Sequence, residues 1–321
     1  SRQEGVTVMK AKIEVVSYNQ NWPVIFASEA RLIKIALGDN CRAIHHVGST
    51  SIPGMCAKPI IDIIPVVKNI QKVDDVVAAM IKLDYQAGGE GGMLFRRFFT
   101  KTVAMHGFNV HIYEEGAGEV DRLIKFRDWM RNHQDDADDY ANLKIKLASE
   151  HADNRLSYTM GKESLVANID KKTGFSGWRI VQVLTDREWA AYHRIRREEI
   201  FDAMGVVYDP HHPTLSDHAH IHLVIYSGAD IVGVAQLERL DGGEVALRPF
   251  AIDTHYQNRG LGSILLVNIE RWLRQQDCHL IKLHASPLAV RFYERHGYSF
   301  MPFPADRSFD GVQHVDMGKL L

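Results

Sequence analysis

The chain has 321 residues, 45% of them hydrophobic and 24% charged, with a formal net charge of −2. That length exceeds what one core usually organises, and the balance excludes both a disordered chain and a broad polyanion-coating surface. Cys41, Cys56 and Cys278 form no C-x-x-C pair, and no apolar run approaches the roughly 20 residues of a membrane span, so a cytoplasmic protein without membrane insertion is expected.

The chain begins with Ser, its opening SRQEGVTVMK lacks the apolar core of a signal peptide, and its first residues are expected to include non-native ones. In chain order, a strand is expected at IEVVS, a helix over VIFASEARLIKIALG ending at Gly38, and then the loop HHVGSTSIPG. KPIIDIIPVV, β-branched and almost wholly apolar, reads as a buried strand carrying one acid, Asp62. A helix from about Val73 to Leu83, the turn GGEGG and the strands MLFRRFFTK and GFNVHIYEE follow. A polar stretch from Val120 to Ala152 is expected to be helical, its charges mostly a solvated face. The glycine-bearing DKKTGFSGWR marks a boundary, so the expected domains are 10–175 and 176–321. The second half alternates strand RIVQVLTD, helix Glu188 to Met204, strands HIHLVIYS, IVGVAQLERL and EVALRPFAI, helix Ser263 to Gln275, strand LIKLHA, helix PLAVRFYERHG and terminal strands. The fold class expected throughout is mixed α/β (α+β).

After EVALRPFAID the chain reads Gln257-Asn258-Arg259-Gly260-Leu261-Gly262-Ser263 and enters the amphipathic ILLVNIERWLRQ. Glycines at a strand-to-helix turn let backbone approach a ligand, and the unpaired N–H groups of the helix favour a pyrophosphate; glycines alone equally serve to tighten a turn. With PLAVRFYERHGYSF about 30 residues later, this spacing resembles the Gcn5-related N-acetyltransferase (GNAT) family over roughly Arg179 to Leu321, and DGVQHVDM looks like the tail of one of its branches. The resemblance implies a V-shaped opening between EVALRPFAID and LIKLHA. There the resemblance leads one to expect acetyl-CoA, with pantetheine against Ala251 and Ile252 and pyrophosphate on the Gln257–Ser263 turn. Tyr293 matches the family tyrosine that protonates the departing thiolate; its other reading is a packed aromatic. An attacking amine must lose a proton to a carboxylate or water, and Glu238 and Glu244 are the candidates, each also readable as a surface acid. Ser286 stands where the family often has Asn, and Ser can still cap the following helix. His218, His220 and His222 alternate, and polar roles are favoured over metal binding, so no metal is expected. Arg194 and Arg196 either shape acceptor binding or face solvent. The acceptor is expected to be an amine of a small molecule or peptide.

In the first half, Gly48-Ser49 followed by Asp62 is the skeleton of a polymerase-β-like nucleotidyltransferase fold, in which a loop holds triphosphate and a D-x-[DE] pair holds Mg²⁺. Here the second acid is replaced by Ile64, and the later strand offers His111. HVGSTSIPGMCAKPIIDI, RRFFTK, NVHIY, FRDWMRNHQDDADDYANLKIKLA and YTMGKESLV together resemble the GrpB family, over nearly all of Ile13 to Ile169. The resemblance implies a nucleotidyltransferase-like fold. Gly48, Ser49, Lys58, Asp62, Arg97, His111 and Lys162, with Arg96, are expected to line a pocket for a nucleotide or phosphorylated ligand, although Gly48 and Gly54 also read as turn formers, RRFF as an alternating strand and Lys162 as a surface lysine. His45, His46, His106 and His111 either gather around Asp62 or serve as hydrogen-bonded core groups.

Overall fold

The computed structural model describes residues 12–304 and 312–321. The chain's first residues, and Asp310-Gly311 of the DGVQHVDM tail, lie outside them. Two compact units emerge: Ser1–Gly91 with Arg96–Gly177, and Gly92–Phe95 with Trp178–Leu321.

The first unit contains α1 (Trp22–Leu37), β1 (Cys41–Val47), β2 (Ile60–Val67), α2 (Val77–Ile81), β3 (Gln86–Ala87), β4 (Arg97–Thr102) and β5 (Gly107–Glu114). Four helices follow: α3 (Gly118–Asn132), α4 (Gln134–Glu150), α5 (Arg155–Met160) and α6 (Glu163–Lys172). The strand order is β1-β2-β5-β4-β3, with β2 and β5 parallel and the other pairs antiparallel. Trp22, Ile33 and Leu37 of α1 cover Ile61, Ile63 and Val67 of β2, one face of an alternating strand. Asp62 therefore points to the opposite face. There Ile52 and Met55, just beyond the glycine loop, pack with Phe126 and Met130 of α3, Tyr140 of α4 and Ile169 of α6.

The second unit contains β6 (Trp178–Gln182), α7 (Asp186–Arg196), a π-helical turn over Arg197–Phe201, α8 (Asp202–Met204), β7 (His220–Ser227), β8 (Asp230–Arg239) and β9 (Glu244–Ile252). α9 (Leu261–Gln275), β10 (Leu280–Ala285), α10 (Val290–Arg295), β11 (Ser299–Phe300) and β12 (Val315–Leu320) complete it. Its seven strands run β11-β12-β10-β9-β8-β7-β6. Thr185 and Glu188 form a reciprocal capping box that starts α7. α9 buries Leu261, Leu265, Leu266, Ile269, Trp272 and Leu273 on one sheet face, and α7 packs Tyr192 and Ile195 on the other.

Two expectations need correction. IEVVS shrinks to one reciprocal pair, Val16 with Ala57. MLFRRFFTK breaks at Phe95, whose φ of +65° no strand accommodates. Its first part joins the second unit, where Leu94 N donates to Ile180 O at 3.2 Å, and only Arg97–Thr102 pairs with β5. The polar stretch is helical as expected, divided into two helices where His133 turns extended between α3 and α4. No helix among the described residues is long and apolar enough to cross a membrane.

Candidate functional site

In the second unit, β9 and β10 pair in parallel from Glu244↔Leu280 to Leu247↔Leu283 and then part. β8 stays bonded to the other edge of β9 as far as Gly233↔Ile252, with a bulge that sets Arg248 and Pro249 opposite Gln236 alone. A bulge bends its strand, and Pro249 donates no ladder hydrogen bond, so the local sequence supports the parting. The β10-facing edge of Arg248–Ile252 is thus left without a strand partner.

Two helices converge on this parted end. Gly260, at φ +78°, is the left-handed N-cap of α9, and the helix's own bonding begins with Ile264 N to Gly260 O at 3.0 Å. The amides of Leu261, Gly262 and Ser263 therefore have no intrahelical acceptor. A Cβ on Gly262 would lie 3.6 Å from Phe292 and 3.7 Å from Ile252, ordinary contact distances, so packing alone does not demand glycine there. Gln257 braces the turn by donating to Ile252 O at 2.8 Å. From α10, Tyr293 lies with its ring centroid 6.4 Å from Phe250, on the parted part of β9. Burial pushes its phenol well above the ordinary value, so it holds its proton at any physiological pH.

The opposite sheet face is a polar strip. Arg248 grips Glu238 through Nε (2.6 Å) and Nη2 (2.5 Å), and Lys282 reaches Glu244 at 2.6 Å. Further along, buried Arg196 donates to the Tyr192 hydroxyl (2.6 Å) and to Gln236 Oε1, and the Gln236 amide donates to His220 Nδ1 at 2.8 Å. Tyr192 donates to His222 Nδ1 at 2.7 Å, while His222 Nε2 faces Thr214 O at 3.1 Å. Burial, helped by Arg196, pushes His222 down to about 4, so it is a neutral relay in this network.

In the first unit, Gly48 sits at φ +71°, and a Cβ there would collide with the Asp62 carboxylate. The loop after it is held from α3 and α4. Arg127 donates to His46 O (3.0 Å), Arg131 to Ser51 O (2.6 Å), and Lys144 to Cys56 O. Burial drops Lys144 to about 7. Asp62 accepts from Asn109 Nδ2 at 3.0 Å and faces His111 Nε2 at 3.8 Å. Burial pushes this carboxyl up, but His111, Asn109 and Lys58 together hold it below the ordinary range. The ammonium groups of Lys58 and Lys162 lie 4.6 and 4.5 Å from the Tyr158 ring centroid. Burial and mutual repulsion drop Lys58 to about 8, and burial lowers Lys162. Two partly buried ammonium groups thus crowd beside a single acid.

Comparison with known proteins identifies the two halves of the chain. Residues 12–172 match the family model described as GrpB protein. The chain belongs to the GrpB family. Residues 207–321 match a second model, Acetyltransferase (GNAT) domain, so GrpB is fused here to an acyltransferase domain of GNAT type. The Bacillus subtilis UPF0157 protein YqkA is 38% identical over 162 residues, 50% of this chain and 47% of its own length. This chain thus spans about half of that relative. BSU40680 of Bacillus subtilis, an acetyltransferase candidate, is 33% identical over 100 residues, 30% of this chain and 65% of that protein. The crystal structure of the conserved protein GrpB from Enterococcus faecalis is 34% identical with a TM-score of 0.48, covering 50% of this chain and 96% of that one.

In the GrpB domain, Gly48, Lys58, His111 and Lys162 all lie near Asp62, and Ser49 is tied to the same neighbourhood by its side-chain bond with Tyr140. Arg97 does not join them: strand alternation turns it away, into a bidentate grip on Asp74 at 2.6 and 2.8 Å. Arg96 lies on the pocket side instead, 3.4 Å from His111 Nδ1. His46 is bonded to Thr50 at 3.0 Å, and His106 packs edge-on to Phe108 near Lys101 and Glu29, so the four histidines do not gather. In the GNAT-type domain, Ala251, Ile252, Gln257–Ser263 and Tyr293 come together at the parted strands. Glu244 does not, because it occupies the paired end of β9, four residues and about 13 Å of strand from Arg248. Ser286 does not cap α10: its carbonyl accepts from Ala289 N at 2.9 Å, and the cap residue is Ala289. Arg194 pairs with Asp253 at 2.8 Å. The reasoning from sequence missed Arg248, Asn109, Tyr158 and Phe250. Alternation along LRPFAI and GFNVHIY carries the only signal for Arg248, Phe250 and Asn109, and Tyr158 has none beyond its place in YTMGKESLV.

Proposed function

We propose that this protein is an acetyl-CoA-dependent N-acetyltransferase whose transferase part is residues 176–321. Acetyl-CoA lies along the unpartnered edge of β9, with pantetheine at Ala251 and Ile252 and pyrophosphate at the amides of Asn258 to Ser263. The observation that supports this best is a coincidence in space: one parted strand pair, one left-handed glycine N-cap and one buried tyrosine. A neutral amine attacks the thioester carbonyl, the C–N bond forms as the C–S bond breaks, and Tyr293 passes its proton to the departing CoA thiolate. Glu238 could accept the amine proton only by loosening its double contact with Arg248, so it serves chiefly to hold Arg248, and water on the polar face takes the proton. Small molecules and peptides with a free amine both suit an open strip of this kind, and a CoA donor suits the cytoplasm. The test is calorimetric titration with acetyl-CoA, followed by thiol release across an amine panel. Absence of both binding and CoA release would sink the reading.

A second reading concerns the first unit. Lys58 and Lys162 on Tyr158, with Asp62 beside them, favour a phosphate-bearing ligand. Nucleotidyl transfer is disfavoured, since the groups flanking Asp62 are Asn109 and His111 rather than carboxylates, and Mg²⁺ prefers oxygen ligands. Titration with pyrophosphate and ATP, with and without Mg²⁺, tests this; binding unchanged in Lys162→Ala would refute it.

A further inference from the structure

His284, at the end of β10, and Asp316, on β12, are register partners and so share the polar face of the sheet, while His314 stands just before β12. His284 Nδ1 lies 3.0 Å and His314 Nε2 3.4 Å from the same oxygen, Asp316 Oδ1, and the three atoms all lie within 4.8 Å of one another. Tetrahedral coordination at zinc bond lengths sets ligand atoms about 3.3 Å apart, so two of the three separations already suit a small divalent ion.

The outer contacts point the same way. His284 Nε2 faces Pro304 O at 3.1 Å, and His314 Nδ1 faces Val312 O at 3.0 Å. A carbonyl only accepts, so each remote nitrogen carries a ring proton, and in the neutral imidazole the nitrogen that faces Asp316 is the one with a lone pair. The second carboxylate oxygen, Oδ2, accepts from Phe303 N at 3.1 Å, which fixes the acid as well. With both rings neutral, three lone-pair-bearing atoms converge, each residue oriented by a backbone partner, the arrangement typical of histidine and carboxylate metal ligands. Such convergence needs positive charge at its centre. The nearby cations do not supply it: Arg248 is engaged by Glu238 and Lys282 by Glu244. His284 stacks on Phe303 at 4.7 Å, and Arg248 lies 5.2 Å over the same ring, so the cluster is braced from the side where β9 and β10 part.

We propose that His284 Nδ1, His314 Nε2 and Asp316 Oδ1 bind one divalent transition-metal ion of the Zn²⁺ class. Two imidazoles and one carboxylate suit Zn²⁺ and Co²⁺ and leave a coordination position for water. The ion would tie the approach to β12 onto the end of β10. This inference does not rest on acetyl transfer, and its test reads metal alone.

The experiment uses the full chain stripped with chelator, titrated with Zn²⁺ by calorimetry and with Co²⁺ by visible absorption. One ion per chain is expected, with the intense Co²⁺ band of low coordination number. His314→Ala and Asp316→Asn should each weaken binding at least 100-fold, while His220→Gln, whose ring is engaged by Gln236, should not change it. His314 is exposed, so its variant keeps the fold, which melting in chelator verifies against the parent. Absence of stoichiometric binding, or binding that persists in both ligand variants, would overturn the proposal and leave ring protons as the charge that holds the cluster.

Discussion

Gly262→Ala separates what the fold needs from what the ligand needs. The added Cβ meets Phe292 at 3.6 Å and Ile252 at 3.7 Å, ordinary contacts, and the residue is not in the left-handed region. In a helical position Ala is favoured over Gly by about 0.5–1 kcal/mol, less within the first turn, so stability should hold or rise by up to about 0.5 kcal/mol. For a chain of this size that is a melting-temperature rise of about 1–2 °C. The same methyl is added to the turn whose amides are proposed to meet the pyrophosphate, where a displacement of even one hydrogen bond to a charged group costs about 1.5–3 kcal/mol. Acetyl-CoA affinity should therefore fall at least 10-fold, about 1.4 kcal/mol. Gly260→Ala is the opposing control: φ +78° makes it strained, with an expected stability loss of about 1–2 kcal/mol. Differential scanning fluorimetry with and without acetyl-CoA, with calorimetry for Kd, reads both quantities. Unchanged acetyl-CoA affinity in a stable Gly262→Ala protein would refute the placement of the pyrophosphate, and a melting temperature lowered by several degrees would refute the packing argument.

Tyr293→Phe should keep acetyl-CoA binding within about 2-fold and lower kcat about 100-fold, the lower end of what a general acid contributes; steady-state thiol release measures it, and an unchanged kcat removes the tyrosine from the mechanism. His46 has its folded value pushed down to about 4, chiefly by burial, against about 6.5 when unfolded. The unfolded chain therefore binds the proton first, and stability falls as pH drops from about 6.5 towards 4, by at most ~1.4 kcal/mol per pH unit for this group. His46→Gln should flatten that slope in urea melts. Asp62 behaves in the depressed-acid sense: its contribution is present above about pH 3.9 and is lost as pH falls through its lower folded value, so the parent and Asp62→Asn should converge in stability under acid. Arg97→Ala, losing its grip on exposed Asp74 and longer contacts with Glu90 and the Arg96 carbonyl, should cost about 1 kcal/mol and leave pyrophosphate affinity unchanged, whereas Lys162→Ala should reduce that affinity at least 10-fold.

Local chemistry alone determined a good part of this protein. The β-branched run of β2, the Gly-x-Gly entry to α9 and the alternation of the second half follow from backbone sterics and side-chain period, which act over neighbouring residues and are legible in any window of the chain. So was the replacement of an acid by Ile64, which is fully buried on β2. The pairing of charges was not legible, because it depends on which strands become neighbours. Glu238 faces Arg248 and Glu244 faces Lys282 only once β8, β9 and β10 adopt their register, and that register left Glu244 at the paired end of the strands. Likewise Arg96 and Arg97 are adjacent in sequence, and only the pleat of β4 sends one towards His111 and the other to Asp74. His284, His314 and Asp316 are separated by up to 32 residues, and the antiparallel pairing of β10 with β12 alone brings their polar atoms together.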